Sequence, residues 1–223
     1  IYNVTKNVKQ NWKINIYKKT YKNIYKNLTL SIYEDNLYVA DNMGFIYSIS
    51  LVTKKLLWIK NHGVPFKSNI KVFDNKIYVM DQDNRILCFD TIKGLKIWDL
   101  LTISSFIKSQ NLFSLALTNS ADLLVLNSSA DLFKINGKDG SVIYTTNTSG
   151  STLLDASDFF VSSDLVLTKK EIIFSASDTI YSYDINNPII NWETQVSSVS
   201  SPIINNGNIF IVTRNGYFVI LDQ

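Results

Sequence analysis

The sequence predicts an all-β fold, a β-propeller of four-stranded antiparallel blades with about five blades present. Three observations predict it. A polar residue is followed by an aromatic at a fixed distance four times over, each such element lies downstream of two β-branched, aromatic-rich runs, and long segments of helical period are scarce.

The repeat element reads Ser50-x3-Lys54-x3-Trp58, Asp90-x3-Gly94-x3-Trp98, Asn136-x3-Gly140-x3-Tyr144 and Asp184-x3-Pro188-x3-Trp192. Counting the equivalent Asp222, these polar residues lie 40, 46, 48 and 38 residues apart, the length of one propeller blade. Arrays of immunoglobulin-like units would have longer periods and no fixed aromatic eight residues past a polar turn. The expected repeats are 28–67, 68–110, 111–157 and 158–199, flanked by partial ones at 1–27 and 200–223.

Each blade is justified from its own residues. Runs such as Ile77-Tyr-Val-Met80 suit a strand because β-branched and aromatic side chains pack on a pleated surface. A tight turn follows at Asn42-Met-Gly44, Gln82-Asp-Asn84 or Asn215-Gly216, where Asn, Asp and Gly tolerate positive φ. The next run, for example Ile86 to Phe89, returns antiparallel. The polar-x3-Gly element then turns the chain into an outer strand bearing the aromatic. Segments between units, such as Ser68 to Phe73 and Ser201 to Asn205, supply the fourth strand.

Composition limits the chemistry. The 223 residues include one cysteine, Cys88, and one histidine, His62, which excludes an internal disulfide, a cysteine-based metal cluster and any two-histidine metal site. No apolar run reaches the length of a membrane-spanning helix. The basic residues are 20 Lys and 2 Arg, and Asn numbers 24, a bias that AT-rich codons explain in part. Residues 1–33 carry seven lysines (Lys6, Lys9, Lys13, Lys18, Lys19, Lys22, Lys26) and no acid, whereas the remainder has fifteen basic and nineteen acidic residues. Such a stretch can attract anionic partners. The alternation in Lys13-Ile-Asn-Ile-Tyr-Lys18 favours instead a half-buried strand whose lysines discourage aggregation. Tyr21, Tyr25 and Tyr33 are read as strand formers rather than a nucleic-acid stacking platform, and the Asn-x-Ser/Thr matches at Asn3, Asn27, Asn127 and Asn147 as chance in so Asn-rich a chain.

Phe89-Asp90-x3-Gly94-x3-Trp98 resembles the pyrroloquinoline-quinone-like propeller repeat, and the resemblance covers residues 28–222. It implies that Trp58, Trp98 and Trp192, with Tyr144 substituting, dock between neighbouring blades, positioned by turns built on Asp90, Gly94 and Asp184. Ser50, Asn136, Lys54 and Pro188 depart from the pattern. Within the family the chain is most similar to the branch that serves the outer-membrane β-barrel assembly machinery as its propeller lipoprotein. The resemblance also implies a ring of about eight blades. Two arrangements fit the flanks: Asn11-Trp12-Lys13 completes the last blade and closes a smaller ring, or the chain is an arc of the larger one. The second is preferred, because Ile1 and Gln223 fall inside repeat elements.

Quinone-dependent dehydrogenases share this repeat and need a calcium site with acidic ligands. The acidic pairs Asp81-Gln-Asp83 and Asp155-Ala-Ser-Asp158 are better explained as turn caps. His62, in a loop without a nucleophile elbow, does not suggest a triad, and Cys88 reads as a small buried hydrophobe. The expectation is therefore a non-enzymatic scaffold with no catalytic, cofactor-binding or metal site. Its expected partners are proteins, those of the barrel-assembly machinery among them, and not nucleic acid. Membrane association is expected only through an anchor outside this sequence, at the periplasmic face of a Gram-negative outer membrane. A dehydrogenase-like fragment and a ligand-sensing propeller are the alternatives.

Overall fold

A computed structural model describes residues 11–17, 25–102, 113–148, 162–176, 178–196, 198 and 200–222. Lys6, Lys9, Lys18, Lys19, Lys22, Tyr21, the Asn3 sequon, Ser149 of the Asn147 sequon and Asp155–Asp158 lie outside the described residues.

The described chain is all β, in five antiparallel sheets whose strands run in sequence order. The first holds β1 (Leu28–Tyr33), β2 (Asn36–Asp41), β3 (Phe45–Ser50) and β4 (Leu56–Asn61). β5 (Lys71–Phe73), β6 (Lys76–Met80), β7 (Arg85–Asp90) and β8 (Lys96–Leu101) form the second. The third comprises β9 (Ser114–Leu117), β10 (Leu123–Leu126), β11 (Asp131–Ile135) and β12 (Val142–Asn147). β13 (Val166–Leu167), β14 (Glu171–Ala176), β15 (Thr179–Asp184) and β16 (Ile190–Gln195) make the fourth. The fifth has three strands, β17 (Ile203–Asn205), β18 (Asn208–Val212) and β19 (Phe218–Asp222). This is the blade architecture of a β-propeller.

The two middle strands of a sheet are apolar on both faces because both faces are covered. In the second sheet Ile77, Val79, Leu87 and Phe89 meet Tyr38, Ala40 and Ile46 of the first. From its other face Tyr78, Met80, Ile86 and Cys88 meet Leu123, Val125 and Ile135 of the third. Leu124, Leu126 and Leu132 of the third sheet then meet Ile172, Phe174 and Tyr183 of the fourth. Ile173 and Ile180 of the fourth meet Ile209 and Ile211 of the fifth. The core is thus a row of inter-sheet layers rather than one central cluster, as in other architectures where each repeat touches only its neighbours.

In the first, second, third and fifth sheets the turn between the middle strands takes one residue at positive φ. Gly44, Asn84, Ala130 and Gly216 supply it, at φ between 62° and 84°. Ala130 is the uneconomical choice, since a Cβ in the left-handed region is strained.

Residues 11–17 depart from expectation. Trp12, Ile14 and Ile16 are half-buried and Asn11, Lys13 and Asn15 exposed, so the alternation is real. The segment nevertheless forms no strand among the described residues. No strand among the described residues pairs with it. It packs flat on Val39, Tyr47 and Ile49 of the first sheet instead.

Candidate functional site

The residues singled out in the sequence converge on the sheet-to-sheet junctions. Trp58 projects from β4, and its indole N–H donates to the Thr91 carbonyl at 3.0 Å. Trp98, from β8, donates in the same way to Gly137 O at 3.2 Å. The Tyr144 hydroxyl reaches Ile185 O at 3.4 Å. In each case the acceptor directly follows the polar residue that opens the next repeat's turn: Asp90, Asn136, Asp184. Burial, then the charge of Asp184, pushes the Tyr144 phenol up to about 12, so it remains a donor at neutral pH. Trp192 packs against the layer formed by Ile173, Ile180, Ile209 and Ile211.

Each aromatic is aimed by a bulge. The register with the third strand slips by one residue just after Ser48, Cys88, Lys134 and Ser182, which lie opposite Trp58, Trp98, Tyr144 and Trp192. A bulge of this kind bends the strand and re-aims the side chain beside it.

The turn residues have distinct tasks. Asp90 accepts from Lys93 N and Leu95 N, both at 2.6 Å, through its two carboxylate oxygens. Asp184 Oδ1 accepts from Asn186 N at 2.8 Å and Asn187 N at 3.0 Å. Gly94 takes φ +64°, and a Cβ there would stand 2.7 to 2.9 Å from three atoms of the Trp58 ring. Gly140 is placed likewise against Trp98. Lys54 adopts φ +58° in the position of Gly94. Pro188, with φ fixed negative, leaves a different closure: Ile189 N donates to Asn187 O while Asp184 N still donates to Ile189 O.

A second set of contacts, at the opposite end of the strands, was not anticipated. The buried Asp81 does cap its turn, Oδ1 accepting from Asp83 N at 2.8 Å and Arg85 N at 3.0 Å. Its other oxygen lies 3.0 Å from His62 Nε2, and His62 stacks on Phe66 at 5.6 Å. Asp41 repeats the pattern. Its Oδ1 accepts from Met43 N and Phe45 N, and its Oδ2 from the hydroxyls of Tyr17 and Tyr47. Burial and the nearby carboxylate hold both phenols above their ordinary range. In the third sheet Asn127 caps through Oδ1 and donates through Nδ2 to Thr102 Oγ1 at 3.3 Å. His62 and Thr102 sit four residues after Trp58 and Trp98, so the end of one outer strand grips the cap of the next sheet.

Two further groups are buried at these junctions. Lys134, 7% exposed, donates to Ile185 O at 3.1 Å and Asn186 Oδ1 at 3.4 Å and lies 3.7 Å from Asp122. It lines a cavity of about 480 Å³ between the third and fourth sheets. Cys88 is fully buried, and burial pushes its thiol up to about 12. Among the described residues no three His, Cys, Asp or Glu side chains are grouped to hold a metal ion.

The family described as outer membrane protein assembly factor BamB matches the chain over residues 9–223. Among solved structures, BamB from Moraxella catarrhalis superposes at a TM-score of 0.73 with 11% identity, over 88% of this chain and 60% of that one. The computationally designed Ika8 protein gives 0.67 and 13%, over 88% and 58%. The quinohemoprotein alcohol dehydrogenase from Comamonas testosteroni gives 0.65 and 12%, over 87% and 41%. The chain therefore spans less than two thirds of the length of each. No curated protein matches the sequence at a significant level.

Proposed function

Because the chain belongs to the family of the outer membrane protein assembly factor BamB, we propose that it is a non-catalytic propeller scaffold that binds proteins during outer-membrane β-barrel assembly, at the periplasmic face. The family match over residues 9–223 carries this reading. The fate of the polar residues supports it: Asp41, Asp81, Asn127, His62 and Lys134 are all spent on turn caps and inter-sheet bonds. Contact with a partner then falls to the exposed turns or to strand addition at an open sheet edge. The test is a pull-down from native Gram-negative membranes with the folded chain as bait. Recovery of an identified barrel-assembly component is expected, and recovery of none overturns the reading.

The likeness to a quinohemoprotein alcohol dehydrogenase motivates one alternative, a piece of a dehydrogenase-like propeller. Calorimetry with pyrroloquinoline quinone and calcium, paired with dye-linked alcohol oxidation, separates the two. The scaffold reading predicts neither heat nor turnover.

A further inference from the structure

The cavity between the third and fourth sheets lies where the internal repeat changes its residues. In the first two sheets a tyrosine of the second strand faces a small residue of the third, Tyr38 opposite Ser48 and Tyr78 opposite Cys88. Tyr78 reaches across to the next sheet, where its hydroxyl donates to Gly137 O at 3.0 Å alongside the Trp98 indole. The third sheet has Leu124 opposite Lys134 instead. Leu124 has no hydroxyl to offer. The Lys134 ammonium donates to Ile185 O, the carbonyl in the corresponding place, alongside the Tyr144 hydroxyl. A phenol has been exchanged for a shorter side chain and a cation, at a junction with a described sheet on either side.

That cation is loosely matched by its surroundings. The Lys134 side chain is 9% exposed, and lysine is almost never buried so far without a closely paired carboxylate. An ammonium has three N–H groups. Two of them serve Ile185 O at 3.1 Å and Asn186 Oδ1 at 3.4 Å. Asp122 Oδ2 stands 3.7 Å away, past the roughly 2.7–2.9 Å of a charge-assisted bond, and accepts from Ser120 Oγ at 2.8 Å. The charged side chains that line the cavity are Lys134 and Lys169, both basic. Asn186 turns its oxygen to Lys134, which leaves its Nδ2 as a further donor. Leu117, Leu167 and Ile185 give the cavity apolar wall. A donor-rich, positive recess with apolar sides, in the size range of small-molecule sites, selects a compact anion.

We infer that this cavity binds a small organic acid, whose carboxylate takes the third N–H of Lys134 and the Asn186 amide. The body of the acid lies against Leu117 and Leu167, with Lys169 as a second cation on the wall. A singly charged carboxylate suits the site better than a phosphate dianion, because Asp122 already offsets part of the same positive charge.

Amide NMR of the isotope-labelled 223-residue chain tests this, with succinate, benzoate and glucuronate as probes and their neutral amides as controls. At least one acid should shift the backbone signals of Ser120, Lys134, Lys169 and Asn186 saturably, and its amide should not. Lys134→Met should weaken that binding by at least about tenfold, the loss expected for one hydrogen bond to a charged group. Asp122→Asn removes the competing carboxylate and should tighten it. Leu124→Tyr combined with Lys134→Ser rebuilds the Tyr38–Ser48 pair of the first sheet and should abolish binding in a chain that circular dichroism shows to be folded. The inference is overturned by the absence of a saturable shift from any of the acids at about 10 mM. An equal response to acids and amides, or binding that survives Lys134→Met undiminished, overturns it too. So does a response to a glutamate-rich peptide without one to the free acids, which would make the cavity a protein-docking pocket.

Discussion

Alanine at position 94 puts a methyl group where Trp58 already is. Two costs arise, and they can be separated. The backbone sits at φ +64°, which costs a residue with a Cβ about 1–2 kcal/mol. The Cβ would also lie 2.7–2.9 Å from Cζ3, Cε3 and Cη2 of Trp58, so the indole must move. Moving it loosens the bond to Thr91 O, worth about 0.5–1.5 kcal/mol, and the ring contact with Tyr38 at 6.3 Å, worth about as much. The expected total is about 3 kcal/mol. Gly207→Ala isolates the backbone part, because Gly207 has φ +78° and nothing within 4 Å of its would-be Cβ, and it should cost about 1–2 kcal/mol. In a Trp58→Ala background the collision is gone, so Gly94→Ala should fall to the Gly207→Ala value, leaving a coupling of about 1–2 kcal/mol. Urea unfolding of the single and double variants, followed by far-ultraviolet dichroism, measures every corner of the cycle. Additive costs for Gly94→Ala and Trp58→Ala would refute the inter-sheet contact as the cause.

Three other outcomes follow from the geometry. Asp81→Ala removes two turn bonds and the His62 contact from a buried position and should destabilise by about 2–4 kcal/mol in urea unfolding; Asp81→Asn keeps an acceptor for the turn and should cost less than half of that. The Cys88 thiol, raised by burial to about 12, should react with a thiol reagent at pH 8 only as fast as the protein opens, so native labelling at the free-thiol rate would contradict its burial. Asp99, held below the usual carboxylate range mainly by the hydrogen bond from Lys96 and then by Arg85, contributes stability that is complete above its unfolded pKa of about 3.9 and lost as pH falls through its lower folded value. Asp99→Asn should therefore flatten the acid limb of a stability–pH curve and leave its slope above pH 6 unchanged.

The features written in local spacing were legible in the sequence. The positive-φ turns at Gly44, Asn84 and Gly216, the caps at Asp90 and Asp184, and the doubly apolar middle strands all follow from residue types within a few positions of one another. What escaped notice joins different repeats. Asp81 reads as a turn cap and is one, but its second oxygen is claimed by a residue 19 positions earlier, in the preceding repeat. Lys134 occupies the register position of Cys88 and Ser48 and is buried where Ile185, 51 positions on, offers it a carbonyl, a contact that no local spacing encodes. The bulges were also hidden, since a one-residue slip leaves no mark on composition. The 11–17 alternation predicted the right faces and the wrong pairing, because pairing depends on a neighbour that alternation does not encode.

The bond from each aromatic to the following repeat has a direction, and that direction matters on the ribosome. Trp58 is synthesised 36 residues before Gly94, the residue that gives its ring a place to lie. At about 5–20 residues per second, the indole emerges roughly 2–7 s before its seat exists. Trp98 waits similarly for Gly140. Each newly made sheet therefore passes through an interval with its outermost aromatic unsheltered, and the next sheet ends that interval as it leaves the exit tunnel. Folding of this chain is set up to advance like a zip, each tooth closed by the one that follows.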